Sequence, residues 1–94
     1  MSVITDTSRP QLAGKARLKW DAVREKHLLL FPEGVLVLNK TAHEVLVLCD
    51  GQRTVGEIVK ALATQYATGA DALDGDVKGI LQRLVEKTFV TLGD

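Results

Sequence analysis

The stretch Leu28-Leu29-Leu30-Phe31-Pro32-Glu33-Gly34-Val35-Leu36-Val37-Leu38-Asn39 reads as two apolar strands joined by a Pro/Gly turn and running straight into a helix. Runs of four apolar residues bounded by turn formers have the length of strands. Pro32 removes a backbone donor and Gly34 permits positive φ, so the chain can reverse between the two runs. This order predicts a small sheet ahead of a helical bundle and leaves a hairpin edge open to a partner.

Upstream, Ala16-Arg17-Leu18-Lys19-Trp20-Asp21 alternates apolar with polar residues, the period of a half-buried strand. The charged segment from Asp21 to Lys26 is then a turn, and His27 to Phe31 and Val35 to Leu38 supply the second and third strands. Residues 1–11 are polar, end in Ser8-Arg9-Pro10 and show no periodicity, which predicts a flexible N-terminal arm ahead of a single domain over 12–94.

Downstream, Asn39 is a good N-cap, and Ala42, Val45, Leu46 and Cys49 follow the i, i+3, i+4, i+7 pattern of one helix face. Asp50-Gly51 ends that helix, glycine suiting the left-handed position beyond a C-cap. Thr54-Val55-Gly56-Glu57 has the spacing of a capping box, and Val55, Ile58, Val59, Leu62 and Tyr66 give a second helix its stripe. Gly69, Asp71, Asp74 and Asp76 fit a loop leading into a third helix, with Val77, Ile80, Leu81, Leu84 and Val85 facing inward. Phe89-Val90-Thr91-Leu92 is a short apolar tail for the core. The predicted class is α+β, a three-stranded antiparallel sheet followed by three helices in a winged helix-turn-helix arrangement.

Twelve basic and twelve acidic residues cancel, so no global field steers the chain onto nucleic acid or an anionic bilayer. A hydrophobic content of 46% is enough for a core without disulfides, and the single Cys49 cannot form an internal one. The start Met-Ser-Val-Ile-Thr-Asp lacks the form of a signal peptide, and no apolar run approaches the roughly twenty residues of a membrane span; the expected compartment is the cytoplasm.

Catalytic chemistry has little to stand on. His27 and His43 fall on different predicted elements, and His43 and Cys49 lie about 240° apart around a helix. No metal-ligand pair, nucleophile constellation or Gly-rich phosphate loop is present. The bland reading of Cys49 is a small buried helix residue. Winged helices often bind DNA, and a DNA-binding regulator is the rival reading. Yet the third helix sets Lys78, Arg83 and Lys87 against Asp74, Asp76 and Glu86, where a phosphate-binding surface needs a local basic excess; the only such excess lies in the strand-one region and its arm, where residues 1–26 set six bases against three acids. Recognition of an extended peptide remains, since an edge strand with unpaired amides and carbonyls is a template for an added strand.

Arg9-Pro10-x-Leu12, Arg17-Leu18, Leu29-Leu30-Phe31-Pro32-Glu33-Gly34, Leu38-Asn39, Ala42, Cys49-Asp50-Gly51, Thr54-Val55 and Asp76-Val77 together resemble the pyrroloquinoline quinone (PQQ) biosynthesis protein D family over nearly the whole chain. Two positions depart from its pattern: Gly79, where a larger residue is usual, and Thr88, where the family often has a helix-ending glycine. The resemblance implies a peptide chaperone without cofactor, metal or catalytic residue. It would bind a ribosomal precursor peptide and present it to a radical S-adenosylmethionine enzyme that cross-links a Glu and a Tyr. The peptide would lie beside the third strand and against the third helix. Carried onto this chain, that groove is Val35, Leu36, Val37 and Leu38 on one side and Val77, Lys78, Leu81, Gln82 and Val85 on the other. No nucleic acid and no membrane are expected as partners. The free edge predicts a monomer that can pair or exchange strands into a dimer.

Overall fold

A computed structural model of the chain describes residues 4–93. Alternating and apolar segments form five strands, β1 (Arg9–Leu12), β2 (Arg17–Asp21), β3 (Lys26–Phe31), β4 (Gly34–Leu38) and β5 (Val90–Gly93), around three helices, α1 (Lys40–Val47), α2 (Val55–Gln65) and α3 (Ala70–Glu86). Strands β2, β3 and β4 make an antiparallel sheet in that spatial order, while β1 and β5 make a separate two-stranded sheet.

The register of the larger sheet follows from its residues. Leu18 lies opposite Leu29, and Leu29 opposite Leu36, so these side chains share the face that meets the helices, with Trp20, His27 and Leu38. A one-residue slip would turn that face to solvent. The β2–β3 loop is held by Asp21, whose Oδ1 accepts from the amides of Val23 (3.0 Å) and Arg24 (3.2 Å), and Glu25 turns the corner at φ 54°. The β3–β4 connection is Pro32-Glu33 alone, closed by Phe31 opposite Gly34. Gly34 does not use positive φ, contrary to the expectation from its type; among the described glycines only Gly51 does, at φ 78° after α1.

The helices begin and end where their caps dictate. Asn39 Oδ1 accepts from the amide of Ala42 at 2.8 Å, and the Thr54/Glu57 capping box is closed in both directions at 2.8 and 3.2 Å. Hydrogen bonding to the Thr54 amide holds the Glu57 carboxyl below its usual range. Gln65 at the end of α2 and Tyr66, its C-cap, both donate to the carboxylate of Glu44 on α1. The core is one cluster in which Leu29, Val45, Leu46, Val55, Ile58, Leu62, Val77, Leu81 and Val90 are sealed from water.

Three expectations are corrected. Residues 9–11, assigned to a flexible arm, belong to β1, which pairs with β5 from Arg9 opposite Gly93 to Leu12 opposite Val90. Just before it, the carbonyls of Ser8 and Asp6 accept from the amides of Val55 (2.8 Å) and Gly56 (3.0 Å), two of the groups that a helix start leaves without partners. Those partners are distant in sequence, so no local period announces them; residues 1–3 of the predicted arm lie outside the described residues. Second, the segment from Asp71 to Asp76 is helix, because α3 starts at Ala70, with Asp71 in its first turn, where negative charge is favoured. Third, the apolar tail at 89–92 contributes a strand, so the fold has a second small sheet.

Candidate functional site

Strand β4 is an edge strand, with β3 on one side and, among the described residues, no strand on the other. In a two-residue hairpin the closing pair, here Phe31 and Gly34, is hydrogen-bonded to each other. Alternation along an antiparallel ladder then directs the amides and carbonyls of Gly34, Leu36 and Leu38 at β3, and those of Val35 and Val37 outward. The same alternation sorts the side chains. Leu36 is half-buried and Leu38 buried against the helices, while Val35 and Val37, on the other face of the strand, are each 50% exposed.

The open edge looks onto α3 across a groove. Leu36, Val37 and Leu38 form its strand wall, Ala42 of α1 its floor, and Ile80, Arg83, Leu84 and Lys87 its helix wall. Those four helix positions fall at i, i+3, i+4 and i+7, one face of a helix. The groove continues beyond the end of β4, between Asn39 and Thr41 on one side and Gly75, Asp76 and Gly79 on the other. Apart from the helix's own backbone and the adjoining residues, no heavy atom lies within 4 Å of where a Cβ on Gly75 or Gly79 would stand, so this extension is open.

Of the residues named from sequence, Val35, Leu36, Val37 and Leu38 lie together on this edge, but the five helix positions do not line the groove with them. Val77 and Leu81 are fully buried. Lys78 turns towards the N-terminal segment, where its Nζ contacts Asp6 Oδ1 at 2.8 Å and Asp74 Oδ2 at 3.1 Å; these bonds, that to Asp6 foremost, raise its pKa. Gln82 and Val85 are partly buried on the same side of α3, away from β4. The sequence pattern assigned the apolar stripe of α3 to the groove, whereas the core consumes that stripe. The wall facing β4 is the neighbouring face, mixed in character, and its signal was two apolar and two basic residues at helical spacing.

Two further side chains meet that sequence spacing kept apart. His27 of β3 and His43 of α1 stack with ring centroids 3.5 Å apart, and Trp20 lies against His27 at 4.7 Å. Burial first, and then the neighbouring His27, lower the pKa of His43, with Glu44 opposing. Cys49 donates its thiol hydrogen to the Val45 carbonyl at 3.2 Å, and burial, assisted by Asp50, pushes its pKa up to about 12. This is an inert structural thiol. Among the described residues no group of three or more His, Cys, Asp or Glu side chains converges as metal ligands.

An open strand edge facing a half-apolar helix wall is a geometry for holding an extended chain. The family model described as "Coenzyme PQQ synthesis protein D (PqqD)" matches residues 26–90, which span β3 through the start of β5. This chain belongs to the PqqD family. A "PqqA binding protein" of Rhodopseudomonas palustris (strain TIE-1) is 43% identical over 88 residues, which is 94% of this chain and 86% of that protein. The solution NMR structure for the PqqD truncation of Methylobacterium extorquens PqqCD, described as a functional, stand-alone recognition element for ribosomally synthesised and post-translationally modified peptides, is 32% identical and superposes with a TM-score of 0.82 over 95% of each chain. A part of the heterocyclase TruD, 12% of that chain, shares the PqqD fold at a TM-score of 0.64 and 23% identity.

Proposed function

We propose that this chain is the peptide chaperone of PQQ biosynthesis, binding the ribosomal precursor peptide as a strand added to β4 and presenting it to the radical S-adenosylmethionine enzyme that modifies it. The observation that carries this reading is the free edge of β4, with the peptide groups of Val35 and Val37 directed outward beside the α3 groove. Main-chain bonds to that edge supply affinity, and the groove supplies pockets for alternate side chains. Binding rather than catalysis is the role such a surface performs. The DNA reading gains nothing from the structure. Lys78 is committed to Asp6 and Asp74, which leaves Arg83 and Lys87 as too short a basic track for a phosphate backbone.

The reading is tested by titrating isotope-labelled protein with the precursor peptide. Amides of Val35 to Leu38 and of Ile80 to Lys87 should shift, with those of Asp6 to Ser8 unmoved. Shifts confined to Arg17 through Lys26 would remove the groove from the mechanism.

A further inference from the structure

The α3 side of the groove is ordered by charge. Asp76 stands at the extension, Gly79 and Ile80 carry none, and Arg83 and Lys87 stand beside β4. Strand and helix run in opposite directions here. Leu36 to Leu38 therefore share their part of the groove with Arg83 and Lys87, and Asn39 and Thr41 share theirs with Asp76, while Ile80 and Arg83 border both parts. Neither Arg83, Lys87 nor Asp76 has a salt-bridge partner among the described residues, unlike Lys78 on the opposite face. The two cations are one helical turn apart, about 6 Å along the axis. A strand repeats its same-face side chains about every 6.8 Å. A chain lying on β4 thus meets the two cations with residues two apart in its own sequence.

We propose that the groove reads its peptide by charge: Arg83 is a specificity-determining residue that takes a carboxylate side chain of the bound strand, and Asp76 rejects a carboxylate at the other end, which fixes the direction in which the peptide lies. The guanidinium suits this task because it grips a carboxylate through two parallel hydrogen bonds in a fixed planar fork. Leu36, Leu84 and Ile80 around it become less hydrated when a peptide covers them, which strengthens the pair relative to one in open water. Asp76 makes the discrimination two-sided, adding repulsion of the wrong register to attraction of the right one.

The proposal rests on the reading that an extended peptide adds to β4, and the experiment separates the two. The probe is the synthetic precursor peptide, with each carboxylate replaced in turn by its amide, titrated against the wild-type chain, Arg83→Gln, Arg83→Glu and Asp76→Asn by calorimetry. Arg83→Gln should weaken binding about tenfold, between the worth of an exposed and a desolvated charge pair. One amide-for-carboxylate peptide should lose the same factor on the wild-type chain and nothing further on Arg83→Gln. A lysine at that peptide position should restore binding to Arg83→Glu. Asp76→Asn should relax the penalty for a carboxylate introduced at the opposite end of the peptide. Unchanged affinity in Arg83→Gln, or losses that simply add for every peptide carboxylate, would overturn the proposal. In that event β4 amide shifts persisting on titration leave the strand-addition reading standing, and their absence with the wild-type pair removes both.

Discussion

Thr88 sits at φ 63°, a conformation that a β-branched residue adopts only under constraint. The constraint is the end of α3: the Thr88 amide donates to the Val85 carbonyl at 3.0 Å and the Phe89 amide to the Leu84 carbonyl at 2.9 Å, the paired bonds that close a helix through a left-handed residue. Thr88→Gly should therefore raise stability by about 1 kcal/mol, seen as a higher urea midpoint with an unchanged slope. The sequence flagged this position as a departure from a family glycine, and the backbone shows the reason for that glycine. His43 offers a second test. Its pKa is lowered in the fold by burial and by His27, so below the ordinary imidazole value near 6.5 the unfolded chain holds more protons than the native one. Stability should fall as pH drops through about 6.5 and level off below the folded pKa; His43→Gln should flatten that slope, followed by denaturant midpoints. The lowered carboxyls of Asp50 and Glu57 titrate at more acid pH and do not enter this window. Spacing alone could not pair these histidines, because the stack joins a strand to a helix.

The same distinction between local and long-range information runs through the elements. The β3–β4 hairpin, the Asn39 cap and the Thr54 box depend on neighbours within a few residues, and each is readable from the chain. The strand wall, Leu36 to Leu38, was legible in the same way, because the strand alternates between core and water, whereas Val35 lies on the same edge outside the groove lining. The helix half was not legible, since hydrophobic periodicity marks whichever face is buried and is silent about the face beside it. The ladder geometry sharpens a mutational test. Val37→Pro removes an amide directed at the free edge and should leave the fold intact while weakening peptide binding at least tenfold, read by calorimetry beside a circular dichroism melt. Leu36→Pro removes an amide bonded to β3 and should lower the melting temperature itself. Equal binding by Val37→Pro and wild type would place the peptide elsewhere. Gly79 belongs here too: a glycine inside a helix costs about 1 kcal/mol relative to alanine, and the open space around it accommodates a methyl group, so Gly79→Ala should stabilise α3 by about that amount.

For the molecule as a whole, an unoccupied β4 edge leaves self-association open. Dimers should accumulate at high protein concentration and shift to a monomeric complex when peptide is added, measured by light scattering on a gel-filtration column. A dimer that binds peptide without change of mass would show that another surface holds the chains together. The first and last strands were the least readable part of the fold, because among the described residues the strand pairing of β1 and β5 is with each other and with the α1–α2 connection, all distant in sequence, and nothing local in either announces it. Their pairing sets Arg9 beside Gly93 on a sheet that does not include β4. The described chain ahead of β1 runs onto the start of α2 and the Lys78 side of α3, away from the groove, so this fold can be spliced into a longer enzyme through seams near β1 and β5 without reaching across its own edge strand. Splicing of that kind turns a bimolecular delivery into a tethered one, in which the local concentration of captured peptide is set by linker length and no longer by expression level.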